Sequence, residues 1–230
     1  MGYRLKSSWS VSALRATRVF VFPLVLGVPW ATSQALPPDY GRGLNWQREA
    51  AESGMAEAQF RLGLIYETGI KTAPDPAAAR RWYRRAAEQG HTMAQFKLAT
   101  LLQTGAGGPV DLAGATRWYR AAADGGLPQA QYNLATLLER GQGVEADPAA
   151  AAALYEAAAR AGIAEAAAQL AVLLLDGRGV PKDRVGALAW LIVAAENRVY
   201  GAADLRDQLT GELGPAGWAE AVQRASSLRP

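Results

Sequence analysis

The chain has 230 residues, 24 of them basic and 21 acidic, with half of all residues hydrophobic, one histidine and no cysteine. Without cysteine there are no disulfides, and with a single histidine a structural zinc site has no ligand set. Abundant alanine and few β-branched runs read as helical, so fold class is bounded before any motif is considered.

The first 35 residues carry Arg4, Lys6, Arg15 and Arg18 and no acidic side chain. The apolar stretch Val19–Ala31 follows, then Ala31-Thr32-Ser33-Gln34-Ala35. A basic start, a short apolar segment and a small-x-small site describe a secretory signal peptide, here predicted to be cut after Ala35 and to direct the protein to a periplasmic or secreted location. The run is short for a membrane span and is interrupted by Pro23 and Pro29. An uncleaved signal that anchors the chain is the alternative. No cysteine follows the run, which excludes a lipoprotein anchor. The leader holds four of the 24 basic residues, leaving 20 against 21 acidic ones, a formal charge of −1. A chain of that charge offers no basic stripe for a phosphate backbone, so no nucleic-acid partner is expected.

Residues 36–54 are predicted to form a capping helix, because Asp39, Trp46, Ala50, Ala51 and Gly54 anticipate by 36 positions residues that recur later. Residues 55–198 then hold four 36-residue units. Gly54, Gly90, Gly126 and Gly162 fall in register, as do Ala58, Ala94, Ala130 and Ala166, then Leu62, Leu98, Leu134 and Leu170. Gly69, Gly105, Gly141 and Gly177 form another column, and Asp75, Asp111, Asp147 and Asp183 a further one. A period of this length marks a solenoid of stacked helix pairs.

In the first unit, helix A is predicted over 56–68, with Ala58, Leu62 and Ile65 or Tyr66 on one face. Gly69 ends it, since glycine takes the left-handed C-cap conformation without strain. Asp75 is the expected N-cap of helix B, with Pro76 at the first helical position. Ala79, Trp82, Tyr83, Ala86 and Ala87 form its buried stripe, and Trp82, Trp118 and Trp190 are expected to fill the space between units. Residues 199–230 are predicted to be a capping helix pair, 200–213 and 215–228, broken at Gly214-Pro215. The expected fold is all-α: an α/α solenoid of about eleven helices, an estimate that follows from the period.

The recurring pattern A-x-x-x-L-G/A-x-x-Y/L-x-x-G-x-G-V-x-x-D-x-x-x-A-x-x-W-Y-x-x-A-A-x-x-G resembles the Sel-one-like repeat, a branch of the tetratricopeptide superfamily. Ala130-Gln131-Tyr132-Asn133-Leu134-Ala135 and Gly141-Gln142-Gly143-Val144 match it well, as does Gly177-Arg178-Gly179-Val180. Gly69-Ile70-Lys71-Thr72 departs by lacking the second loop glycine, and Leu154 replaces tryptophan.

No G-x-S-x-G, P-loop or H-E-x-x-H is present. Gly105-Ala106-Gly107-Gly108 follows a helix rather than a strand, which is the wrong context for a phosphate loop. His91 reads as an inert turn residue, and the aspartate column as helix caps rather than metal ligands. No catalytic residue, metal ligand or cofactor is assigned. The resemblance implies a concave groove lined by helix-A residues two before the repeated leucine and two and five after it. Those are Phe60, Leu64 and Glu67, then Phe96, Thr100 and Gln103, then Tyr132, Thr136 and Glu139, with Ala168, Val172 and Leu175 in the last unit. Phe60, Phe96 and Tyr132 would form an aromatic ladder gripping a peptide or helix. The expected function is protein–protein interaction in a bacterial envelope, as an adaptor or regulator. The alternative is a carbohydrate- or peptidoglycan-binding or hydrolytic, penicillin-binding-like protein, and it lacks the S-x-x-K such chemistry uses.

Overall fold

The structure is a computed structural model that describes residues 40–70 and 72–228. The leader with its predicted cut after Ala35, and Lys71 in the irregular first loop, lie outside the described residues.

The fold is an all-α solenoid. Its helices are α1 (Tyr40–Glu52), α2 (Ala56–Thr68), α3 (Pro76–Glu88), α4 (Thr92–Thr104), α5 (Leu112–Asp124), α6 (Pro128–Arg140), α7 (Pro148–Arg160), α8 (Ala164–Asp176), α9 (Arg184–Glu196) and α10 (Ala202–Ser226). Each packs on the helices immediately before and after it in the chain. The even-numbered helices α2, α4, α6 and α8 form one row, the A helices, and α1, α3, α5, α7 and α9 form the other, the B helices. In α10 the backbone at Gly214 leaves the helical region (φ 69°, ψ −173°), with Pro215 next, so the predicted break stands as a kink between two helical segments.

Local chemistry sets the boundaries. The A helices α2, α4, α6 and α8 end at Gly69, Gly105, Gly141 and Gly177, all left-handed with φ between 64° and 76°. Every B helix from α3 to α9 begins at an aspartate whose Oδ1 accepts a first-turn N–H: Asp75 from Ala78, Asp111 from Gly114, Asp147 from Ala150 and Asp183 from Gly186, at 2.8–2.9 Å. The aspartate column is therefore the set of N-caps that the sequence implied. Asp147→Ala is expected to lower stability by about 1 kcal/mol, read as a lower melting temperature by circular dichroism; an unchanged melt would show the cap to be dispensable.

The second loop glycine does different work. A Cβ on Gly107 would lie 2.3 Å from the carbonyl oxygen of Pro76, one on Gly143 2.4 Å from the carbonyl carbon of Leu112, and one on Gly179 2.3 Å from that of Pro148. The second, third and fourth A–B loops thus seat their glycine on the first residue of the preceding unit's B helix. The repeat is locked to its neighbour by backbone contact at this point.

The core is made of small residues and tyrosines more than of tryptophans. Tyr83, Tyr119 and Tyr155 are among the largest fully buried side chains, ringed by alanines such as Ala79, Ala99, Ala135 and Ala158. Trp190 is buried, but Trp82 and Trp118 are only half-buried. All three pack against the core, Trp82 on Ala51, Ala58 and Leu62 and Trp118 on the main cluster, with Trp82 and Trp118 keeping one side open, where Arg85 stacks on Trp82 at 4.7 Å.

Between units, buried glutamines close the junctions. Gln59 donates to the carbonyl of Ala51 at 3.0 Å and Gln95 to that of Ala87 at 3.3 Å, and Gln89 donates to Gln59 at 2.7 Å. Gln59 and Gln95 each give a second donor to a carbonyl near the end of the preceding B helix, which also accepts the N–H of Gly54 or Gly90.

Candidate binding face of the A helices

The residues predicted to line a groove fall on one row of the A helices, and a second row of tyrosines from the B helices stands behind them. Phe60, Phe96 and Tyr132 are half-buried. Each tilts against the tyrosine of its own unit, Phe60 on Tyr83, Phe96 on Tyr119 and Tyr132 on Tyr155, with ring centroids 5.8 Å apart in every pair. Such tilted pairs stabilise by roughly 0.5–1.5 kcal/mol beyond their area. The rungs are therefore set rigidly, one per unit, by the period itself. In the fourth unit the aromatic is lost: Ala168 and Val172 are buried and Leu191 stands where the tyrosine would be.

The polar groove residues are brought to the tyrosine hydroxyls. Tyr83 Oη donates to Glu67 at 2.5 Å, Tyr119 Oη to Gln103 at 2.9 Å and Tyr155 Oη to Glu139 at 3.0 Å. Thr100 and Thr136 each share a 3.1 Å hydrogen bond with the hydroxyl of Tyr119 and Tyr155, and Thr136 also donates to the carbonyl of Tyr132. Leu64 occupies the corresponding place in the first unit, half-buried and packed on the core. Burial pushes all three buried phenols up, Tyr119 to about 12 and the other two further, where the Glu67 and Glu139 carboxylates add to the effect. These hydroxyls therefore stay protonated at physiological pH and donate hydrogen bonds to Glu67, Gln103 and Glu139.

Charge along the row is paired. Lys97 meets Glu67 at 3.1 Å and Arg178 meets Glu139 at 2.6 Å, each bridging from the following unit. Partly buried pairs of this kind fix the direction of the carboxylates rather than adding much stability. Glu67 and Glu139 each keep an oxygen toward the tyrosine and hold a cation at the groove rim.

His91 is the residue whose role the sequence did not reveal. It stands at the N-cap of α4, where Met55, Leu127 and Ile163 cap without a side chain. Its Nδ1 accepts the Ala94 N–H at 3.2 Å, which leaves the proton on Nε2 to donate to Glu57 at 3.1 Å. The ring also stacks on Phe60 at 4.5 Å. The Glu57 carboxyl is held below the usual range, first by His91 and then by Arg61. Far from inert, His91 ties the second unit to the first and closes the ladder at Phe60. Its position one residue past the repeated Gly90 was the available signal.

Among the described residues no group of three or more acidic, histidine or cysteine side chains could hold a metal, and no helix is long and apolar enough to cross a membrane.

The Sel1 repeat family model matches residues 26–55, 56–91, 92–127, 128–163 and 164–198. The first match begins inside the apolar stretch Val19–Ala31, so a cut after Ala35 would remove its opening residues. Among solved structures, a Sel1 repeat protein from Oxalobacter formigenes is 37% identical, with a TM-score of 0.63 over 68% of this chain and 64% of its own. A protective antigen of uropathogenic Escherichia coli strains, displaying an SLR fold, is 30% identical, with a TM-score of 0.54 over 83% of this chain and 49% of its own. The chain thus spans less than two thirds of either relative. No curated protein matches it.

Proposed function

Since the chain belongs to the Sel1 repeat family, whose repeats build protein-interaction scaffolds rather than enzymes, we propose that it is an exported, periplasmic adaptor or regulator of a bacterial envelope complex. It would hold a peptide or a partner helix along the A-helix row. The observation that supports this reading is the ladder of Phe60, Phe96 and Tyr132. Each ring is part-exposed, carried on a rigid tyrosine, and repeated at the spacing of the units. Evenly spaced aromatic anchors with a hydrogen-bonded polar row beside them suit an extended or helical peptide, whose side chains also recur at fixed spacing. Glu67, Gln103 and Glu139 supply the polar side of the same track. The leader at residues 1–35 supports export, and the partner is accordingly expected in the envelope.

The test is affinity capture from an envelope fraction with the chain lacking residues 1–35 as bait, against a Phe96→Ser/Tyr132→Ser control. The expected result is one or more envelope proteins retained by the parent and depleted at least tenfold in the control, with the helical circular dichroism of the two alike. Equal retention by both, or a control that fails to fold while Phe96→Leu captures normally, would remove the ladder from the binding face. A cut after Ala35 is checked by N-terminal sequencing of exported protein, with Leu36 expected first.

A further inference from the structure

Among the described residues α1 is the one B helix with no helix before it. α3, α5, α7 and α9 each pack between a preceding and a following helix, whereas α1 packs on α2, which follows it. Trp46 of α1 stands 36 residues before Trp82, at the same place in the repeat. Trp82 is half-buried because it rests on a cluster that includes Ala58 and Leu62 of the A helix before it, while Trp46 is 61% exposed. Its neighbour Gln47 takes the place of Tyr83, and the Gln47 Oε1 is buried with no hydrogen-bond partner among the described residues. A large apolar ring in water next to an orphaned acceptor marks a face built to be covered.

The chain itself carries a segment in register with the missing helix. Leu26, Gly27, Thr32, Pro38 and Asp39 stand 36 residues before Leu62, Gly63, Thr68, Pro74 and Asp75, with the same residue at all five places. The first of the family matches likewise opens at residue 26. Where α2 offers Ala58 and Leu62 to Trp82, the leader has Phe22 and Leu26, both apolar. A Cβ on Gly63 would lie 2.6 Å from the ring of Tyr83, so position 27, again glycine, answers position 47 in the same way. Pro23 would fall in the first turn of such a helix, where N–H groups lack an intrahelical partner, and Pro29 would end it beyond Phe22, Leu26 and Gly27.

We infer that in the uncut chain residues 21–28 dock on α1 as the A helix of a further, N-terminal unit, with Phe22 and Leu26 against Trp46. The packing rests on the register, and its consequence on the cut proposed above: removal of the leader uncovers Trp46 and turns a closed end of the array into an open one. The chain's own segment is favoured over a second copy by its tether. Only a short stretch separates it from α1, which raises its local concentration far above that of a separate molecule.

The chain has no cysteine, so an engineered pair reads the contact directly in full-length protein made without export. Gly27→Cys/Gln47→Cys should close an intramolecular disulfide on mild oxidation. It should do so at least tenfold faster than Val25→Cys/Gln47→Cys, since Val25 corresponds to Arg61 on the exposed side of α2. Adding Phe22→Ser/Leu26→Ser to the first pair should abolish that difference and leave the circular dichroism of the repeats unchanged. In a chain beginning at Leu36, the fluorescence that Trp46→Phe removes should become about twofold more quenchable by acrylamide. Equal rates for the two pairs, crosslinks between copies rather than within one, or equal quenching of Trp46 with and without the leader overturns the proposal. N-terminal sequencing of exported protein keeps the two readings apart. Leu36 first with no crosslink in the uncut chain removes the packing alone, and a crosslinked chain that is exported uncut removes the cut alone.

Discussion

Gly143→Ala is expected to destabilise the array by about 3 kcal/mol or more, against about 1 kcal/mol for Gly126→Ala. Both glycines are left-handed, at φ 72° and 80°, so both substitutions carry the same backbone penalty. The difference is what a Cβ would meet: nothing within 4 Å at Gly126, but backbone and Cβ atoms of Leu112 at 2.4–2.6 Å at Gly143. Backbone cannot rotate aside as a side chain can, so the loop must lift off α5 and the junction between the second and third units opens. Because each unit of a solenoid is stabilised chiefly by its neighbours, the urea unfolding curve of Gly143→Ala should also broaden or split into two transitions. Equal midpoints for the two variants would show that the loop glycine serves only turn conformation.

Removing the ring of Tyr119 is the second large effect. Tyr119→Ala empties a fully buried site between α4 and α5, and is expected to cost about 3–5 kcal/mol. Tyr119→Phe keeps the ring and leaves Gln103 and Thr100 short of one partner, about 1 kcal/mol. The hydroxyl also couples stability to alkaline pH. The folded state holds the Tyr119 phenol at about 12 against an ordinary value of 10, so the protonated form is favoured in the folded chain. The stability this represents is complete below pH 10 and is lost as pH rises from 10 to about 12. Tyr83 and Tyr155, pushed further still, steepen the loss. The phenolate absorbance that Tyr119→Phe removes from the parent's spectrum should therefore appear only above pH 10 and together with the loss of helical circular dichroism. Appearance of that difference by pH 10 while the helices persist would mean that the Tyr119 ring is open to water.

Much of the fold was legible because its determinants are local. A left-handed glycine stops α2 wherever α2 packs, and Asp75 caps α3 through atoms three residues away, so Gly69 and Asp75 could be read without any tertiary information. The period supplied the stacking, since a helix pair with one alanine face must bury it on the next pair. The candidate site was legible only as positions. That Phe60, Phe96 and Tyr132 share a row follows from a 36-residue spacing. That Glu67, Gln103 and Glu139 accept from tyrosines sixteen residues on does not, because it depends on how far α3, α5 and α7 roll against their partners.

The same division explains the residues that were misjudged. Trp82 and Tyr83 are adjacent and both aromatic, and nothing in their spacing says that Tyr83 is fully buried while Trp82 keeps one side open. His91 became a cap and an inter-unit tether because Glu57 and Phe60, more than thirty residues earlier, arrive beside it. Gly107 and Gly143 repeat as visibly as Gly69 does, yet their reason lies in the backbone of another unit. Sequence alone determined the elements, their ends and their order, since capping and periodicity act within a turn or two. Only the tertiary structure decided which side chains are shared between units, because that is settled by the separation and roll of packed helices, on which residues distant in the chain have an equal vote.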